Sequence, residues 1–138
     1  IEDEIRSLAV AGKVSPIATV AEVRNFVDRK LREFGKKKRI VMDGRDIGTV
    51  VLPDAQVKVF LTASAQVRAK RRYDELIAKG MEADYNQVLE EIIQRDYQDS
   101  HRAIAPLKQA DDATLVDTSD MNLEQVLSAL ESIVKEKI

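Results

Sequence analysis

Apolar residues at Ile17, Val20, Val23, Val27, Leu31 and Phe34 recur in steps of three and four, the period of a helix with one buried stripe. The basic run KKKR at 36–39 ends that stripe. Two short β-branched runs follow, IVM at 40–42 and VKVFL at 57–61, each bounded by Gly, Asp or Pro, and they predict buried strands. The stretch DGRDIGTVVLPD between them predicts loop. Ser64 is placed to cap a helix running through Lys79, and Gly80 to close it in the left-handed conformation. Asp84 and Gln87 form a capping-box pair opening a second helix, with Val88, Leu89, Ile92 and Ile93 on its buried face. TLVD at 114–117 predicts a third strand. After an Asn122/Gln125 capping box, Leu123, Val126, Leu127, Leu130, Ile133 and Val134 repeat at helical spacing. Strands separated by helices favour a parallel α/β sheet with right-handed crossovers. Three strands are few for a sheet covered on both faces, so a strand or two is expected to be missing.

Composition narrows the function classes. The 138 residues, 44% hydrophobic and 33% charged, suit one soluble domain with its own core. There is no apolar run long enough to cross a membrane and no leader pattern, and the absence of cysteine suits a reducing compartment, so the cytoplasm is the expected location. Twenty-two basic against twenty-four acidic residues give a net charge of -2, which argues against a nonspecific nucleic-acid binder. Six aromatic residues leave few stacking platforms, and a lone His101 makes no histidine metal site, so no metal ligands are expected on the chain. Any anion site must be local.

Three stretches could build one. In QRDYQDSHRAIAPL, positions 95, 99 and 102 of a helix fall within an arc of roughly 60°, so Arg95, Asp99 and Arg102 share a face. They read either as a solvated ladder or as a site where the helix ends at AIAPL. A guanidinium offers a planar fork to phosphate or a base edge, and a carboxylate between two of them accepts from a sugar hydroxyl. In RIVMDGRDIGTVV, two glycines bracket Arg45 and Asp46 where a strand would deliver its side chains to the sheet edge. Asp43 and Asp46 could equally cap turns, with Arg45 solvated. In SAQVRAKRRYDELIAKG, Arg68, Arg71 and Arg72 form a basic face balanced by Asp74 and Glu75, or a lid that brings cations to a transferring phosphoryl group.

MDGRDIGTVVLPDAQVKVFL, RAKRR and RDYQDSHRAIAPL, in this order and spacing, resemble the bacterial cytidylate kinases, from EIR at 4–6 to the last helix. That resemblance implies a P-loop nucleoside monophosphate kinase-like α/β fold, ATP with Mg2+, and CMP or dCMP as acceptor. It implies that Ser15 and Arg24 contact cytosine, although without it Ser15 reads as a helix cap and Arg24 as a polar-face residue. By the same resemblance Arg45 and Asp46 serve the monophosphate and base, Arg95, Asp99 and Arg102 serve phosphate, ribose and base, and Arg68, Arg71 and Arg72 face the ATP phosphates, with Arg68 structural if any of them is. Arg45, Arg95, Arg71 and Arg72 are the expected catalytic cations. Asp43 is a candidate for the magnesium's outer shell, and TSDMN at 118–122 falls where the family closes over adenine.

None of the five glycines opens a GxxxxGK[ST] phosphate loop, so the chain reads as the C-terminal part of such a kinase, inactive by itself and prone to self-association, the parent being a monomer. Residues 1–39 are expected to be the helical part of the CMP-binding region and 40–138 the remainder of the core domain, including a lid at about 64–84. A different P-loop small-molecule kinase, or a noncatalytic module binding a nucleotide or a partner, are the other readings.

Overall fold

A computed structural model of the protein describes residues 8–37 and 39–138, with side chains for these except at positions 8, 9, 11 and 15. The described elements are α1 (Leu8–Ile17), α2 (Ala21–Gly35), a π-helical turn (Ile47–Val51), β1 (Val59–Thr62), α3 (Ala65–Ala78), α4 (Tyr85–His101), β2 (Thr114–Asp117) and α5 (Leu123–Lys137). They divide into two compact units. One holds the described part of Ile1–Pro53 with Gln98–Lys108, and the other Asp54–Tyr97 with Gln109–Ile138.

In the first unit, the stripe that predicted one helix from Ile17 is carried by two. Pro16 sits in the last turn of α1, and both the amide and the hydroxyl of Thr19 donate to its carbonyl, at 3.2 and 2.7 Å, which closes α1 before α2 begins. The predicted strand at 40–42 is not formed. Strands are held by ladder bonds to a neighbour, this segment has none among the described residues, and Val41 is 97% exposed. The loop after it winds into the π-helical turn, where Thr49, Val50 and Val51 all donate to the Asp46 carbonyl.

The second unit is the α/β part. β1 and β2 are parallel, with Val59 opposite Thr114 and Thr62 opposite Asp117, so the predicted third strand is observed with its predicted bounds. Parallel pairing requires a crossover, and helices α3 and α4 lie in the chain between the two strands. With one neighbour each, the strands are not buried throughout: Val116 is buried, while Leu61 and Leu115 are exposed. The Ser64 hydroxyl accepts from Val67 N and opens α3, and Gly80 follows its end at φ 72°, as predicted. Asp84 caps α4 by accepting from Gln87 N at 2.9 Å. Ala69 and Leu76 of α3 pack with Val88 of α4 against Ala83, Tyr85, Leu89 and Ile92 to make the core. Ile93, predicted on that buried face, is half exposed because it lies one step round the helix from Ile92. The Asn122/Gln125 box is complete in both directions at the head of α5, yet no residue of α5 is fully buried and Leu123 is 83% exposed.

Candidate functional site

A chain has to bury charge in matched sets, since an uncompensated buried ion is costly. The first unit contains such a set. Asp46 immediately precedes the π-helical turn and is 8% exposed. Arg24, on α2, donates through Nη2 to Asp46 Oδ2 and also to Asp28 Oδ1 at 3.3 Å. Arg102 Nη2 lies 3.6 Å from Asp46 Oδ1, and its Nη1 lies 4.0 Å from Asp99 Oδ1. Asp99, 5% exposed, accepts from Arg45 Nε at 3.0 Å. Three arginines thus meet three aspartates drawn from α2, the turn and the end of α4.

The chain after α4 fixes Arg102. Leu107 N returns to the Asp99 carbonyl at 2.7 Å, Arg102 Nε donates to the Ala105 carbonyl at 2.6 Å, and Ala105 takes the left-handed conformation at φ 49°. A non-glycine residue there is strained by the Cβ, and Pro106 already disfavours the right-handed helix at the preceding position. Folding therefore stores strain where the arginine is anchored.

Two donors in this cluster are not satisfied. Arg24 Nε and Arg102 Nη2 are buried with no hydrogen-bond partner among the described residues, since 3.6 Å is an ion-pair distance and not a hydrogen bond. Buried N–H groups left open in this way fit a ligand that brings acceptors. Arg45, whose side chain is 44% exposed, presents guanidinium surface to solvent beyond its bond to Asp99. Beside the cluster, α1 and α2 enclose a pocket of about 300 Å³ with Val14, Ile17, Val23 and Val27 as apolar wall and Lys13, Arg24 and Asp28 as its polar groups.

The second unit holds Arg68, Arg71, Arg72 and Arg95, and the three arginines of α3 are engaged with protein groups. Arg68 makes a two-pronged pair with Asp96, at 2.9 and 2.6 Å, and donates from Nε to the Ala63 carbonyl. Arg71 donates to the Thr118 hydroxyl and carbonyl and to the Met121 carbonyl, tying α3 to the loop after β2. Arg72 pairs with Glu75, whose carboxyl is pulled down to about 2 by the Lys79 ammonium and then by Arg72. In the same loop the Ser119 hydroxyl and amide hold the Asp117 carboxyl below its ordinary range, and that hydroxyl accepts from Ser64 N. Arg95 stands one helical turn before Asp99 on α4, within the second unit. Asp43 is exposed beside Gly44, and the side chain of Ser15 lies outside the described residues.

Asp28 and Arg32 were not singled out in the sequence. Their only signal is spacing, four and eight residues beyond Arg24 on α2.

The parallel strand pair with crossover helices defines an α/β protein. The chain belongs to the cytidylate kinase family: the family model described as cytidylate kinase matches residues 1–136. It is 59% identical to the cytidylate kinase of Parabacteroides distasonis over 125 residues, covering 91% of this chain and 55% of that protein. It is 54% identical to that of Phocaeicola vulgatus, with the same coverage. With the cytidylate kinase of Thermosipho melanesiensis it shares 50% over 137 residues, 99% of this chain and 63% of that protein. The chain therefore spans a little over half the length of the relatives it matches.

Proposed function

We propose that this chain is the CMP-binding and lid portion of a kinase that transfers the γ-phosphoryl group of ATP to CMP or dCMP, giving CDP or dCDP. The observation that carries the reading is the Arg24–Asp46–Arg102–Asp99 cluster, buried and joined at Asp99 by the solvent-facing Arg45, with its two open guanidinium N–H groups, in a chain of this family. Cytosine offers acceptors at N3 and O2 beside the N4 amino donor, which suits arginine donors set next to a carboxylate. Ser15, Arg24 and Asp46 take the base in this reading, and Asp99 accepts from the sugar hydroxyl.

An acceptor monophosphate repels the phosphoryl group that it attacks, and fixed cations offset that repulsion while holding the reactants in line. Arg45 and Arg95 are assigned to the acceptor phosphate, Arg102 to the base beside Asp46, and Arg68, Arg71 and Arg72 to ATP. The metal that accompanies ATP in this reading, Mg2+, would neutralise charge on its phosphates, with Asp43 as the candidate for its outer shell. The lid assignment for residues 64–84 requires Arg71 to exchange its bonds to Thr118 and Met121 for phosphate oxygens. Arg68, held by Asp96 and Ala63, is the most structural of the three. The chain contains no GxxxxGK[ST] loop, so it is proposed to be inactive by itself, and the activity belongs to the full-length protein in a cytoplasmic setting.

ATP-dependent phosphorylation of CMP, dCMP, UMP and AMP by the full-length protein and by this chain is the test. Selective CMP and dCMP turnover by the full-length protein, with none by the chain, is expected. A full-length protein that turns over no cytidine nucleotide refutes the proposal.

A further inference from the structure

Arg24, Asp28 and Arg32 follow one another at four-residue steps on α2, so each is displaced about 40° from the last and all three line one side of the helix. The first two belong to the charged cluster. The third reaches a different target. Arg32 donates from Nη2 to the Val50 carbonyl at 2.8 Å and from Nε to the Val51 carbonyl at 3.3 Å.

These carbonyls lie at the far end of the π-helical turn Ile47–Val51, and the residue before the turn is Asp46. A helical terminus leaves carbonyls without partners inside the helix, and a guanidinium fork meets two of them at once while its charge opposes the negative end of the turn. Helix α2 therefore grips the turn twice: Arg24 at the Asp46 carboxylate and Arg32 at Val50 and Val51. With the far end held, the five-residue turn cannot pivot about Arg24, and the Asp46 carboxylate keeps its place between Arg24 and Arg102.

We propose that Arg32 is a positioning residue for base recognition, acting through the turn to hold Asp46 against Arg24 without touching the nucleotide. This inference rests on the assignment of Asp46 to cytosine. It predicts a defect confined to the cytidine side of the reaction. Releasing the turn blurs the reader of the base, whereas ATP is handled by other residues.

The test is steady-state kinetics of the full-length protein as wild type, Arg32→Ala and Arg32→Gln, with Lys30→Ala as a control on the same helix, since Lys30 pairs only with the exposed Glu33 in the described structure. Loss of charged hydrogen bonds that set geometry predicts a rise of about tenfold or more in KM for CMP in Arg32→Ala. It also predicts a fall in the CMP-to-UMP ratio of kcat/KM and an unchanged KM for ATP. Arg32→Gln keeps one neutral donor group and should lie between the two, and Lys30→Ala should match wild type. If Arg32→Ala fails to fold, Arg32→Gln carries the same expectations. A wild-type CMP KM and selectivity in the folded variants overturns the inference, as does a loss that strikes ATP and CMP alike with selectivity unchanged. If the wild-type protein itself does not phosphorylate CMP, the function proposed above fails, an outcome distinct from either.

Discussion

Replacing Asp46 by Asn removes one charge from the cluster while keeping the shape of the side chain. In the wild-type arrangement Arg24, Arg45 and Arg102 face Asp28, Asp46 and Asp99, three cations against three anions. In Asp46→Asn, Arg24 keeps only Asp28 at 3.3 Å as a charged partner, and Arg102 keeps Asp99 at 4.0 Å. Breaking a buried pair by removing one partner costs about 3–5 kcal/mol. The two remaining aspartates and the Ala105 carbonyl retain part of the compensation, so a loss of about 2–3 kcal/mol is expected. At roughly 2–4 °C per kcal/mol for a protein of this size class, the Tm should fall by about 5–10 °C. Circular dichroism melts of wild type and variant read this directly, and the same preparations should show a CMP KM that rises more than the ATP KM. A Tm within about 2 °C of wild type would refute the claim that Asp46 is the anion on which Arg24 and Arg102 depend.

Other perturbations test the scaffold. Glu75 has its carboxyl lowered from 4.5 to about 2, a depressed folded value, so its stabilising contribution is complete above 4.5 and lost as the pH falls towards 2. The difference in urea midpoint between wild type and Glu75→Gln should follow that window, and a difference that stays constant through it contradicts the Lys79 and Arg72 attribution. Asn122→Ala removes the cap of α5 and should cost about 1 kcal/mol, with faster amide exchange in its first turn; unaltered exchange would count against the capping box. Gly80→Ala meets no atom within 4 Å but must adopt φ 72°, so about 1 kcal/mol of purely backbone destabilisation is expected in chemical denaturation. A neutral result there would place the residue outside the left-handed region.

Local signals were the legible part of the fold. Ser64, Gly80 and the Asn122/Gln125 pair act through neighbours a few residues away, and each does in the structure what its residue type and spacing predict, while of the expected Asp84/Gln87 box the described bonds include only the Asp84 half. TLVD was legible for the same reason, a β-branched run closed by turn residues at both ends. IVM at 40–42 is likewise rich in β-branched residues but forms no strand, because composition states a preference and ladder bonds require a partner. The break between α1 and α2 was hidden by apolar residues that keep helical spacing across it, while Thr19 and Pro16 end one helix by local hydrogen bonds.

The site was readable where charge came in an ordered row. Asp99 and Arg102 stand on neighbouring turns, and the structure brings them together with Arg45 and Asp46, some fifty residues away in sequence. The resemblance to the family raised Arg24, which its position on α2 alone would have left as a surface residue. Asp28 and Arg32 escaped because their partners are Arg24 and two backbone carbonyls, and no sequence pattern marks a carbonyl that needs a donor.

The central claim is that the cluster around Asp46 is a cytidine monophosphate site. A crystal structure of the full-length protein with CMP tests it most directly. The account predicts nucleotide atoms within hydrogen-bond distance of Arg24 Nε and Arg102 Nη2, the two buried donors now without partners among the described residues, with the base amino group on Asp46. CMP bound elsewhere while both donors stay open would contradict it.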